Sequence, residues 1–132
     1  MALESEMEML LHSDDLFQTE HAPVQDLVNV CYLIGSFKDT VKYISTGIGF
    51  GTDIGGFTFW SDLDGFDQSF YEEEFIGIEV EFGSETIIVD YVILYDYFRI
   101  AAKRYVEKRP HDRKELEVYL EDMRKNLNIE LR

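Results

Sequence analysis

The chain has 132 residues, 45% of them hydrophobic, with 27 acids against 12 bases and a formal net charge of −15. That length suits one domain, residues 1–132, and that hydrophobic content supports a folded core rather than a disordered polymer. A field this negative argues against nucleic acid and anionic membrane as partners, because both call for Lys and Arg on the protein side.

The charge is unevenly placed. Residues 1–42 carry eight acids and two bases, residues 43–98 carry twelve acids and no Lys or Arg, and residues 99–132 carry seven acids and ten bases. The negative field therefore belongs mainly to the middle of the chain. It attracts basic partners and speeds their association.

In chain order, residues 3–12 read as a short acidic helix. The opening MALESEMEMLLHSDD has no basic start, so it does not read as a signal peptide. No segment approaches the roughly 20 apolar residues of a membrane span, and the expectation is a soluble, cytoplasmic protein. SDDLFQTEHAP is a turn-rich connector. From Val24, the apolar positions Val24, Leu27, Val28, Cys31 and Ile34 follow helical spacing. Pro23 suits the first turn of that helix, and Gly35-Ser36 suits its stop. Cys31 is the chain's one cysteine, which excludes an internal disulfide; in VNVCYLI it reads as a small buried hydrophobe. A second amphipathic helix fits Phe37 to Ile44.

STGIGFGTDIGGF, residues 45–57, is a glycine-dense loop or irregular strand pair. Phe57 to Trp60 reads as a strand. FIGIEVEF, Phe75 to Phe82, alternates: Ile76, Ile78, Val80 and Phe82 share one face and Glu79 and Glu81 the other. Gly83-Ser84 suits a two-residue type II′ turn into a return strand, Glu85 to Asp90. If that hairpin forms, Glu79 and Glu81 point away from the core. Tyr91 to Lys108 reads as a long helix with Asp90 as its cap and Leu94, Phe98, Ala101, Ala102 and Tyr105 as its stripe. Pro110 ends it. Asp112 and Glu115 suggest a capping box for a last helix that buries Leu116, Tyr119, Leu120, Met123 and Leu127. The fold class is α+β: N-terminal helices, a small antiparallel sheet with a β-hairpin, and a C-terminal helical hairpin packed on one face.

The candidate site is SDLDGFDQSFYEEE, Ser61 to Glu74. It holds Asp62, Asp64, Asp67, Glu72, Glu73 and Glu74 without a base, with Phe66, Phe70 and Tyr71 among them and Trp60 just ahead. A calcium loop starting at Asp62 would match at Asp64 and Glu73, but Phe66 takes its fifth position and Asp67 stands where the sharp turn needs Gly. The glycine loop fails as a dinucleotide fingerprint, because the third glycine after Gly47 and Gly49 falls on Thr52; it also lacks a phosphate-binding lysine. The three histidines lie in separate segments, and no G-x-S-x-G elbow occurs. The expectation is therefore a protein that is not an enzyme and uses no cofactor or metal. A solvated face would intersperse Lys and Arg and would not need so many rings. Carboxylates around aromatic anchors suit docking to a basic protein. The candidate contact residues are Asp53, Trp60, Asp62, Asp64, Phe66, Asp67, Tyr71, Glu72, Glu73, Glu74, Glu79 and Glu81. Two other readings stay open: an acidic adaptor for other basic proteins, and a carboxylate-based metal-binding hydrolase.

The run FIGIEVEFGSETIIVDYVILYDYFRIAAKRYVEKRPHDRKELEVYLEDM resembles immunity proteins of bacterial contact-dependent growth inhibition systems, in particular those guarding against ribonuclease toxins. The shared features are a strand, a Gly-Ser turn, a strand, a Tyr-rich helix and the helix break EKRPHDRKELEVYL, over roughly residues 75–128. The resemblance implies a cytoplasmic protein that binds a cognate basic nuclease domain of a secreted effector and neutralises it by covering its active site. It implies no nucleic-acid, membrane or small-molecule partner.

Overall fold

The structure, a computed structural model, describes residues 9–129. Among the described residues are five helices and four strands: α1 (Ala22–Leu33), α2 (Phe37–Ser45), β1 (Phe50–Thr52), β2 (Gly55–Phe59), α3 (Gly65–Gln68), β3 (Ile78–Phe82), β4 (Glu85–Val89), α4 (Tyr91–Lys108) and α5 (Arg113–Asn126). Single 3₁₀ turns occupy Ser13–Asp15, Thr19–His21, Trp60–Asp62 and Pro110–Asp112. The architecture is the α+β arrangement that the pattern predicts.

The strands form one antiparallel sheet in chain order, β1-β2-β3-β4. Register puts Phe57 beside Val80 and Val80 beside Ile87; one step along, Phe59, Ile78 and Val89 line up likewise. All six lie on one pleat face, and all but half-buried Ile87 are buried. Helices α1 and α4 cover that face. Phe98 of α4 packs on Phe57 at 5.6 Å between ring centroids, and Tyr91 packs on Phe59 at 5.9 Å. Each large apolar side chain so buried is worth roughly 1.5–3 kcal/mol. Glu79, Glu81, Thr58 and Ile88 take the other face, as alternation requires.

Several local expectations hold. The α1 stripe is buried, including Cys31, and burial raises its thiol pKa. Gly35 ends α1 with φ +80. The glycine-dense run is a strand pair, β1 and β2. Gly83 has φ +61 between Phe82 and Glu85, which pair across the two-residue turn. The Asp90 side chain accepts a hydrogen bond from the Val92 amide at 2.8 Å and caps α4.

Others are corrected. Residues 3–8 of the expected 3–12 helix lie outside the described residues, and residues 9–12 are not helical. β2 stops at Phe59, because Trp60 opens a 3₁₀ turn. β3 starts at Ile78 rather than Phe75. Gly77 has φ +114, and a Cβ there would run into the Val89 carbonyl. That reversal breaks the alternation, so Ile76 is 86% exposed while Phe75 is buried. Ile34 ends α1 exposed rather than in its stripe. The Asp112–Glu115 capping box does not form. The Asp112 carboxylate instead accepts hydrogen bonds from Tyr105 Oη at 3.0 Å and Lys38 Nζ at 3.2 Å. Burial would raise its pKa, but these two donors outweigh burial and hold it low. The same lysine ties the start of α2 to the start of α5, and Asn126 Nδ2 donates to the Ser45 carbonyl at their far ends. The two helices therefore run parallel and in contact.

Residues 9–18 form a strap across α1 and α4. Leu10 and Leu11 are buried, and both backbone amides donate to Asn29 Oδ1 at 3.0 Å; Asn29 Nδ2 returns a bond to the Leu11 carbonyl. Arg104 holds Asp15 through both guanidinium nitrogens, which keeps that carboxyl below the usual carboxylate range. Tyr97 Oη accepts from the Phe17 amide at 2.8 Å and shares a hydrogen bond with His21 Nδ1 at 2.7 Å. Neutral His21 suits this bond, and burial lowers its pKa.

Two predictions follow from the strap. Asn29→Ala leaves two buried amides and a carbonyl unpaired and should cost about 2 kcal/mol in urea unfolding. For His21, the unfolded chain takes up a proton near pH 6.5, while the folded chain resists until lower pH. Stability is therefore full above about pH 6.5 and is lost as pH falls below it. His21→Gln should show a smaller drop in urea midpoint between about pH 7.5 and 5.5 than the parent.

Candidate docking surface

The acid-rich stretch leaves the sheet at the end of β2 and returns at the start of β3. Its two ends are clamped by rings. Trp60 packs edge-on against Tyr71 and Phe75, at 5.5 and 5.3 Å between centroids, and Tyr71 meets Phe75 at 5.5 Å. Such contacts add about 0.5–1.5 kcal/mol per pair beyond the area buried. Tyr71 Oη also donates to the Glu79 carboxylate at 2.9 Å, which seats the arm on the outer face of the sheet. Burial, that hydrogen bond, and the negative charge of Glu79, Asp67 and Glu81 raise the tyrosine's pKa.

Within the arm the carboxylates divide by role. Asp62 Oδ2 accepts from the Phe59 amide at 2.7 Å and the Gly49 amide at 3.0 Å. Gly49 must be glycine for this approach, since a Cβ would meet the Phe57 carbonyl and the Asp62 carboxylate. Asp64 caps the single turn α3 by accepting from the Asp67 amide at 2.8 Å. Gln68 Nε2 donates back to the Leu63 carbonyl at 3.2 Å. Asp67, Glu72, Glu73 and Glu74 are exposed, and none of the arm's acids is in an ion pair with a described residue.

The arm displays two rings. Phe66 is 71% and Phe70 73% exposed, and they pack edge to face at 5.0 Å between centroids. Trp60 and Tyr71 are half-buried in the clamp instead. Phe70 therefore joins the contact candidates. The sequence placed it among the acids, but only the clamp distinguishes the ring pair that faces out from the one that faces in.

Geometry brings together Trp60, Asp62, Asp64, Phe66, Asp67, Tyr71, Glu72, Glu73 and Glu74, and adds Glu79 through Tyr71. Glu81 follows on the same outer face. Asp53 does not join them. It is exposed in the β1–β2 turn, at the opposite end of β2, where the Ile54 carbonyl accepts from the Gly83 amide at 2.8 Å. Among the described residues no three His, Cys, Asp or Glu side chains converge to hold a metal ion, and no helix is long and apolar enough to cross a membrane.

Chemically, the surface offers apolar area inside a ring of unneutralised carboxylates. Exposed rings are natural hot-spot anchors, and rim charge sets encounter rate and register. A family model described as CDI immunity protein, where CDI is contact-dependent growth inhibition, matches residues 21–120. That span reaches from α1 into α5 and contains the whole arm. Among curated proteins nothing matches the chain.

The division of roles among the acids is testable. Asp62→Ala leaves the Gly49 and Phe59 amides without an acceptor and should cost about 1 kcal/mol in urea unfolding. Asp67→Ala should stay within about 0.5 kcal/mol of the parent. Equal effects of the two would contradict the distinction.

Proposed function

The chain belongs to the CDI immunity protein family, whose members neutralise a cognate toxin, and on that basis we propose that it does so by laying its acidic arm over the active site of a basic nuclease toxin, a ribonuclease. It acts by binding and not by catalysis, in the cytoplasm of the producing cell. The observation that carries this reading is the exposed Phe66–Phe70 pair, held in a fixed arm among acids that no described cation neutralises. An enzyme that cleaves a polyanion presents Lys and Arg around its active site. A surface with the opposite charge and two apolar anchors occupies such a groove and excludes the substrate. Segment 43–98, without a single Lys or Arg, steers the encounter.

Association kinetics with the toxin domain encoded by the adjacent gene test this. Changing Asp67, Glu72, Glu73 and Glu74 together to Lys leaves the Asp62 and Asp64 backbone bonds in place. It should slow association about tenfold or more and flatten its salt dependence. Phe66→Ala with Phe70→Ala should instead speed dissociation, with a combined loss of about 2 kcal/mol or more. Unchanged rates in both variants would remove the arm from the interface. Unimpaired nuclease activity in the saturated parent complex would remove the active-site block.

A further inference from the structure

A second acidic feature lies at the other end of the sheet. A cavity of about 520 Å³ opens between the strap, α1 and the end of β3. Leu11, Val30, Leu33 and Phe82 supply its apolar wall, and Asp26 stands at its polar side. Phe82 pairs directly with Glu85, the first residue of β4, so a second carboxylate stands beside the opening. Burial and the nearby charge of Glu85 both raise the pKa of Asp26. Neither carboxylate is in an ion pair with a described residue. The cavity is separate from the arm. Phe82 pairs with Gly55 at one end of β2, and the arm leaves from the other end, four residues and roughly 13 Å along the strand.

An apolar trough ending at two unmatched carboxylates has the shape and polarity of a long side chain with a cationic head. Lys and Arg lay their methylene stems along apolar surface and keep the charge at a polar rim. A small anion would meet repulsion here, and a purely apolar ligand would leave the carboxylates unmatched. We propose that this cavity seats one lysine or arginine side chain of the bound toxin, its stem on Val30, Leu33 and Phe82 and its head between Asp26 and Glu85. The assignment to the toxin rests on reading that partner as basic. It gives the interface a second anchoring point remote from Phe66 and Phe70. Asp53, in the turn that touches Gly83, adds negative potential at this end.

Two measurements test the site and the assignment separately. The first uses n-butylguanidinium and n-butylammonium as probes in NMR titrations at constant ionic strength. Saturable shifts of the Leu11, Val30 and Leu33 methyls are expected, lost in the Asp26→Asn, Glu85→Gln double variant. That variant is isosteric and removes the charge repulsion between the two groups, so its unfolding midpoint should be at or above the parent's. Shifts that never saturate, or that persist in the double variant, overturn the site. The second measures toxin binding, where the double variant should weaken affinity about tenfold, mainly through faster dissociation. Probe binding with unchanged toxin affinity overturns the assignment to the toxin. Failure of the arm reading shows elsewhere, as normal rates in the Phe66, Phe70 and arm-charge variants.

Discussion

Phe57, Val80 and Ile87 stand side by side across three strands, with Phe98 of α4 packed on the first of them. At these positions that face of the sheet is covered by α1 and α4. Because side chains alternate along each strand, this burial forces Glu79 and Glu81 to the opposite face, with Thr58 and Ile88 around them. A slip of one residue in register would bury two carboxylates and expose Val80 and Ile78. The outer face is thus acidic as a consequence of the core, and the arm that crosses it inherits a surface already negative.

The arm resolves a conflict. Six acids within fourteen residues repel one another and favour an extended, mobile chain. Local bonds oppose this: Asp62 ties the start to Gly49 and Phe59, Asp64 caps α3, and Trp60 closes on Tyr71 and Phe75. Two carboxylates and the clamp rings thereby serve the fold, and the remaining acids and two rings are left facing solvent. Exposing Phe66 and Phe70 leaves apolar area in water that folding alone would bury, so their exposure fits a binding role in a family of toxin-neutralising proteins. The bonds of Asp62 and Asp64 and the Trp60 clamp pre-organise the arm, which lowers the ordering cost of binding.

The basic end of the chain has a complementary role within the fold. Lys38 and Tyr105 hold Asp112 and Arg104 holds Asp15, whereas the acids of the arm, Asp62 to Glu74, meet no described cation. Without an ion pair to a described residue, the arm's carboxylates keep their field toward solvent.

Composition and periodicity alone determined much of this. The α+β class, the hairpin at Gly83-Ser84, the limits of α4 between Asp90 and Pro110, and the middle segment without Lys or Arg all follow from local chemistry: turn preference, capping, helical spacing and residue counts. The resemblance over residues 75–128 pointed to the family that residues 21–120 match. Tertiary structure decided what depends on groups distant in the chain. Asp112 left its capping box because Lys38, 74 residues away, offered a stronger partner. Ile76 left its strand because the Val89 carbonyl allows only Gly77 beside it. A loop has no strand alternation to fix which rings face in, so contact with Phe75 and Glu79 turned Trp60 and Tyr71 inward and left Phe66 and Phe70 outward. A count of acids and rings states what a surface is made of, and only packing against the sheet decides which of them a partner can reach.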